Sequence, residues 1–300
     1  MNRALSFIAL LFAALIWGFA FIALRWLMES TDAHFGNILR FSFMGIVALI
    51  GMSIIRGFKE FKENYSVALK CAFSMYICLV LQIIGLQYTS VAKSAFFTTL
   101  YAVFTPLFAM VLLKRHYPKS LWFYLSLACF GVALLCDLRF DSFNIGDALT
   151  IGAAIAGASQ IIIMEKAVQQ FKTAWNQNFS QSLFGGLFAL LHLGLLSLFG
   201  KSVDLGSIAN FSFKSWMGLV VLVLFSSLIA FTLQAWGQKK LKPYVAASIF
   251  LMESPFATFF AWWLLGESLT LSGIIGCLLI MMSVSGVVYL DTHIDQKEIG

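Results

Sequence analysis

Charge is scarce in this chain. Only 11% of its 300 residues are Asp, Glu, Lys or Arg, whereas soluble domains carry about a quarter. With 60% hydrophobic residues, a globular core of this length cannot hide the apolar surface, so the solvent is lipid. The net charge is +6. The basic residues sit in short gaps between apolar runs and form no basic segment, which argues against nucleic acid as a partner. Histidine is also rare. His34, His116, His192 and His293 are far apart in the chain, and they are expected not to converge. HExxH, GxSxG and P-loop motifs are absent, so neither an enzyme nor a cofactor or metal is expected. Cys71, Cys78, Cys129, Cys136 and Cys277 all lie in apolar runs without a CxxC pair. They read as small buried hydrophobes, not as a disulfide or metal framework.

The apolar runs that remain meet the length test for spanning helices, about 20 residues each. Ten segments qualify: 4–24, 36–55, 67–88, 92–113, 120–137, 146–164, 176–199, 215–237, 244–265 and 271–290. The first runs through Trp17 and Phe21 with no small-residue cleavage site and is expected to be a retained span, not a removed leader. Short connections leave no room for a soluble domain. Lys and Arg give the direction. With the N-terminus in the cytoplasm, the inner side carries Arg3, Arg56, Lys59, Lys62, Lys70, Lys114, Arg115, Lys119, Lys166, Lys172, Lys239, Lys240, Lys242 and Lys297. The outer side carries Arg25, Lys93, Arg139, Lys201 and Lys214. The bias places both termini in the cytoplasm.

Five spans lie on each side of the segment LRFDSFNIGD, 138–147. Five is odd, so the second half enters from the opposite face, and shared ancestry would relate the halves by an axis in the membrane plane. The expected division is 1–140 and 141–300. VAKSAFFTTLYAVFTPLFAMVLLKR from Val91 and VAASIFLMESPFATFFAWWLLGE from Val245 both open on VAxS, carry a proline mid-span and close on LL. Proline is scarce, with four in the chain. Pro106 and Pro255 fall in the matching fourth and ninth spans. Each removes a backbone hydrogen bond, and paired interruptions point to a transport cavity, although packing kinks are the plainer reading of either one alone.

These stretches resemble the drug/metabolite transporter superfamily, in particular its EamA-type members with ten spans in two repeats. The resemblance is carried by ALIWGFAFIAL, by LRFSF at Leu39, by GLQYTSVAKSAFFTTLYAVFTPLF, and most specifically by AASIFLMESPFATFFAWWLLGESLTLSGIIGCLLI. It implies an all-α integral membrane fold, a bacterial inner-membrane location, a central cavity between two inverted five-helix repeats, and export or exchange of small metabolites such as amino acids. Members often close both repeats on Gly-Glu. Here Gly266-Glu267 does so, while the first repeat ends on Lys114-Arg115.

Glu253 lies mid-span. A charge there costs about 3 kcal/mol on insertion scales, and each Leu, Ile or Phe returns roughly 0.5 kcal/mol. The helix therefore inserts, but the acid must face protein or a wet cavity. It either contacts substrate or carries a proton, which raises proton coupling, or else it bonds to a neighbouring span or to backbone freed by Pro255. Arg40 has two readings: snorkelling to headgroups, or binding a substrate carboxylate at the outer gate. Lys93 divides the same way, and the family resemblance adds weight to a cavity position. Gln82, Gln160 and Gln234 either join helices or line a polar route. Trp17, Tyr76 and Tyr101 sit deeper than belt aromatics and suit either packing or stacking on a ligand. The small residues of span 6, Gly152 to Ala158, permit close helix approach. The expected function is a secondary transporter exporting amino acids or related metabolites by alternating access. Broad efflux of toxic organic compounds is the alternative, and a non-transporting scaffold is a third class.

Overall fold

The computed structural model describes residues 2–85, 87–89, 91–137, 143–200 and 205–299. The expected 140/141 division, Arg139 and Lys201 lie outside the described residues. Among the described residues ten helical spans follow one another. Spans 1 to 3 are Arg3–Met28, Ala33–Ile54 and Phe58–Gly85. Span 4 is two helices, Val91–Thr99 and Tyr101–Leu113, and span 5 is Lys119–Leu135. Spans 6 and 7 are Ile145–Gln170 and Ala174–Leu198. Span 8 runs Phe213–Gln238, span 9 is Pro243–Phe250 followed by Glu253–Leu265, and span 10 begins at Leu271. Among the described residues nine of these are long and apolar enough to cross a bilayer, and Lys119–Leu135 is a shorter apolar helix. The protein is an all-α integral membrane protein of two inverted five-helix repeats.

Glycines set the closest helix contacts. Spans 2 and 7 cross where a Cβ on Gly45 would lie 3.1 Å from Gly186 Cα and 3.7 Å from Ser182 O. The reciprocal Cβ on Gly186 would lie 3.0 Å from Gly45 Cα and 3.3 Å from Phe41 O. The contact is symmetric, so Gly45 and Gly186 are matching positions of the two repeats. Span 3 meets span 6 where Gly85 faces Gly146 O, and span 8 meets span 1 where Gly237 faces Ser6 O. These too are matching contacts from opposite halves.

The interruptions of spans 4 and 9 fall before the prolines, at Leu100 and at Leu251–Met252. The expectation that Pro106 and Pro255 themselves mark the breaks is corrected. Pro255 is the third residue of its helix, in the first turn, where a missing N–H removes little. The Leu251 carbonyl it would have used accepts from Ser254 N at 3.2 Å. Pro106 lies inside its helix and is buried. Each half-helix beyond a break has 13 residues and ends on a left-handed residue, Lys114 (φ 52°) or Gly266 (φ 67°). In both, the cap and the following residue donate to one carbonyl, Ala109 O or Ala261 O. Lys114 thus adopts the conformation that Gly266 holds without a Cβ penalty.

Span 8 carries ten residues of π-helix, Val221–Ala230. Such wide turns are rare and recur at functional sites.

Candidate functional site

One chamber of about 200 Å³ opens between the repeats. Trp17 and Phe21 of span 1, Arg40 of span 2 and Gln82 of span 3 line it. Span 4 adds Thr98 and Tyr101, span 6 Gly157 and Gln160, span 8 Ser226, Phe231 and Gln234, and span 9 Phe250 and Glu253. It runs from mid-bundle toward the face opposite the N-terminus. Tyr101 and Glu253 are each the first residue after the break of their span. The breaks therefore place an aromatic hydroxyl and a carboxyl at matching points of the two halves. Gly18 is where span 1 packs on this second break: a Cβ there would lie 2.7 Å from Phe256 Cβ and 3.0 Å from Glu253 O.

Arg40 does not snorkel. Its Nε donates to Ser227 Oγ and its Nη2 to Ser226 Oγ, both at 2.9 Å, and its guanidinium carbon lies 5.5 Å from the Phe41 ring centre. The π-helix supplies that fork, because it sets two consecutive serines toward span 2. Asn178 braces the same segment from the other side. Its Nδ2 reaches Leu228 O at 2.8 Å, Thr232 Oγ1 at 3.0 Å and Ser227 O at 3.1 Å. Trp17 Nε1 donates to Ser226 O at 3.2 Å, and its ring packs edge-on against Phe231 and Phe250. Gln234 Nε2 donates to Gln160 Oε1 at 3.0 Å and to Gln238 Oε1 at 2.9 Å, and Gln82 Nε2 donates to Thr98 Oγ1 at 3.1 Å. The amides both join spans and face the chamber.

Tyr76 and Lys93 do not line the chamber. The Tyr76 hydroxyl lies 3.1 Å from His192 Nδ1, and Lys93 Nζ lies 3.9 Å from the buried Asp147, which caps span 6. His192 in turn packs edge-on against His34, with ring centres 5.6 Å apart. Two of the four histidines converge after all, because spans 2 and 7 pair along their length. Among the described residues no group of three or more His, Cys, Asp or Glu is arranged to hold a metal.

The N-terminal face is tied shut below the chamber. The nearly fully buried Asp291 of span 10 pairs with Arg3 of span 1, and its Oδ1 accepts from the Tyr244 hydroxyl at 2.6 Å. Arg115 bridges to Glu165 at 3.0 Å. Glu60 holds the side chain of Asn176 and the backbone N–H of Lys172. Lys239 Nζ donates to Phe171 O and Lys172 O.

Interrupted helices around a site between inverted repeats are a transporter arrangement, and the model of the EamA-like transporter family matches residues 4–136 and 144–289. The chain belongs to the EamA-like transporter family. An uncharacterized transporter of Archaeoglobus fulgidus is 25% identical over 289 residues, which are 95% of this chain and 86% of that protein. A solved structure, described only as the crystal structure of a protein, superposes with a TM-score of 0.79 over 98% of this chain and 99% of that one. At 15% identity it shows the fold alone. The sequence reading missed the buried polar run of span 7, Asn176 to Ser182, whose only signal was the density of amides and hydroxyls in a spanning segment.

Proposed function

We propose that this EamA-like protein carries a small zwitterionic metabolite, an amino acid or close relative, by alternating access across a bacterial inner membrane. The observation that carries the reading is a base and an acid, Arg40 and Glu253, lining one aromatic-walled chamber. Arg40 takes the carboxylate, since a guanidinium matches its two oxygens. Glu253 takes the ammonium. Trp17, Phe21, Phe231, Phe250 and Tyr101 enclose an apolar side chain. Gln82, Gln160 and Gln234 complete the polar wall. About 200 Å³ is room for about seven waters. This is smaller than the roughly 300–1,000 Å³ pockets that take drug-sized ligands, which favours an amino acid over broad efflux of bulky compounds.

The bias of Lys and Arg supports a cytoplasmic N-terminal face. The chamber then faces outward, and Asp291, Glu165 and Glu60 are members of the closed inner gate. Export is the net direction on this reading, with Glu253 as the group through which a proton couples to cargo. The test is counterflow in proteoliposomes with a labelled amino-acid panel, with and without a pH gradient. Saturable exchange of α-amino acids is expected. The decarboxylated amine and the deaminated acid should each fail to compete. Equal competition by the amine would remove Arg40 from recognition. Glu253→Gln should abolish the response to the pH gradient, and an unchanged rate with an unchanged pH profile would exclude Glu253 from the mechanism.

A further inference from the structure

The reciprocal contact of Gly45 with Gly186 fixes the register between spans 2 and 7. Phe41 O faces Gly186 as Ser182 O faces Gly45. Counting one residue back, Arg40 matches Gln181, and three further, Asn37 matches Asn178. The sequences agree: NILRFSFMG from Asn37 aligns without a gap to NFSQSLFGG from Asn178. The position that mirrors Arg40 is thus a glutamine in the half of the bundle nearer the N-terminal face.

That glutamine lies in a buried polar cluster. Gln177, Asn178, Ser180 and Gln181 are each 0% exposed. Gln181 Nε2 donates to Asn178 Oδ1 at 3.1 Å, and Gln177 Nε2 donates to Gln181 Oε1 at 3.3 Å. Gln177 Oε1 and Ser180 Oγ are buried with no hydrogen-bond partner. Helix packing alone does not account for polar atoms left unmatched at this depth, since each is costly in an apolar medium. Both sides of the π-helix are also in use: Arg40 holds its hydroxyls from the chamber side, and Asn178 holds its carbonyls from the other.

We infer that Gln181, with Gln177, forms a second cargo subsite, closed in this conformation and opened toward the N-terminal face when the two repeats exchange roles. It rests on the proposed carrier function. Its ligand class is the same zwitterion: amide N–H groups donate to the carboxylate, and amide oxygens accept from the ammonium. A neutral amide holds a carboxylate more weakly than a guanidinium, by about tenfold. The two faces should therefore differ in apparent affinity.

The test uses the full-length protein in oriented vesicles. Gln181→Cys should react with a charged methanethiosulfonate applied at the N-terminal face, above the background of the native cysteines. Arg40→Cys should react only from the opposite face. Gln181→Cys reacting from the Arg40 side, or from neither side in a protein that still transports, overturns the proposal. In transport, Gln181→Ala should raise KM measured at the N-terminal face about tenfold and leave KM at the other face within twofold. An equal change at both faces means a packing role and also overturns it. If the alanine variant folds poorly, Gln181→Asn gives the same side-specific readout. Labelling requires no cargo. A wild-type protein that exchanges no zwitterion thus overturns the proposed function, while the labelling result still decides the subsite.

Discussion

Replacing Asn178 with leucine removes the brace of the π-helix and keeps the side-chain size. Asn178 Nδ2 serves three acceptors on span 8, and its Oδ1 accepts from Gln181 Nε2 and, at 3.3 Å, from Ser182 Oγ. Not all of these partners are stranded. Leu228 O also accepts from Thr232 Oγ1 at 2.7 Å, so one acceptor keeps a donor. Ser182 can rotate. The Gln181 amide and the Ser227 carbonyl lose a buried partner, at about 1–3 kcal/mol each by soluble-protein values. Polar contacts between membrane helices average nearer 0.6 kcal/mol, because the reference state in lipid also finds partners. Five contacts at that value give roughly 3 kcal/mol, and the two routes meet at about 3 kcal/mol. Unfolding in detergent with increasing SDS, followed by tryptophan fluorescence, reads this directly. In the Asn178→Leu background, Gln181→Leu should then cost less than it does in wild type, since its partner is already gone. A loss below about 0.5 kcal/mol for Asn178→Leu would show that the π-helix stands without its brace, and the reasoning would fail.

Lys114→Gly should stabilise the protein by about 0.5–1 kcal/mol, since exposed Lys114 holds φ 52° where glycine carries no Cβ clash; the same SDS titration checks it, and a destabilised variant would contradict the cap assignment. Gly18→Ala should lower stability by about 1–3 kcal/mol through overpacking against Phe256. It should also slow exchange in proteoliposomes more than Gly194→Ala, whose Cβ meets nothing within 4 Å. Equal behaviour of the two would separate the span 1 contact from the chamber.

The spans were legible because lipid leaves few choices. Twenty apolar residues between basic gaps favour a helix, and the observed helices fall on the segments read from hydropathy, with the fourth and ninth each broken in two. The inversion was legible from an odd number of spans on each side of one hydrophilic segment. The site was legible only in part. Glu253 and the three glutamines stand out by polarity, and all four line the chamber. Arg40 was ambiguous, since the partners that turn it inward, Ser226 and Ser227, lie nearly 190 residues away on a π-helix with no sequence signature. Tyr76 had the right depth and the wrong face. Span 7 was passed over because its first half, from Asn176 to Gly186, is buried among spans 2, 3 and 8. A helix enclosed on several sides shows no 3.6-residue polar stripe, so amides such as Gln181 carry no periodic signal.

The backbones of the two halves mirror each other more closely than their side chains do. Arg40 is matched by Gln181, Glu253 by Tyr101, and Trp17 of span 1 by Gly157 of span 6 through the matching contacts of Gly237 with Ser6 and Gly85 with Gly146. Each charge of the chamber comes from a different repeat, and each has an uncharged counterpart. Exchange of the two conformations replaces the Arg40 guanidinium with the Gln181 amide, whereas Tyr101 and Glu253, which mirror each other and both line the chamber, stay at the site in either conformation. On the proposed reading, the carboxylate of a zwitterion meets a full charge on one side of the membrane and a neutral dipole on the other. Charged hydrogen bonds are worth about twice neutral ones, so the symmetric scaffold yields an asymmetric affinity. Arg40→Gln makes that pair identical in both halves. The variant should bring the KM values of the two faces together, and a persistent difference would place the asymmetry elsewhere than in this pair.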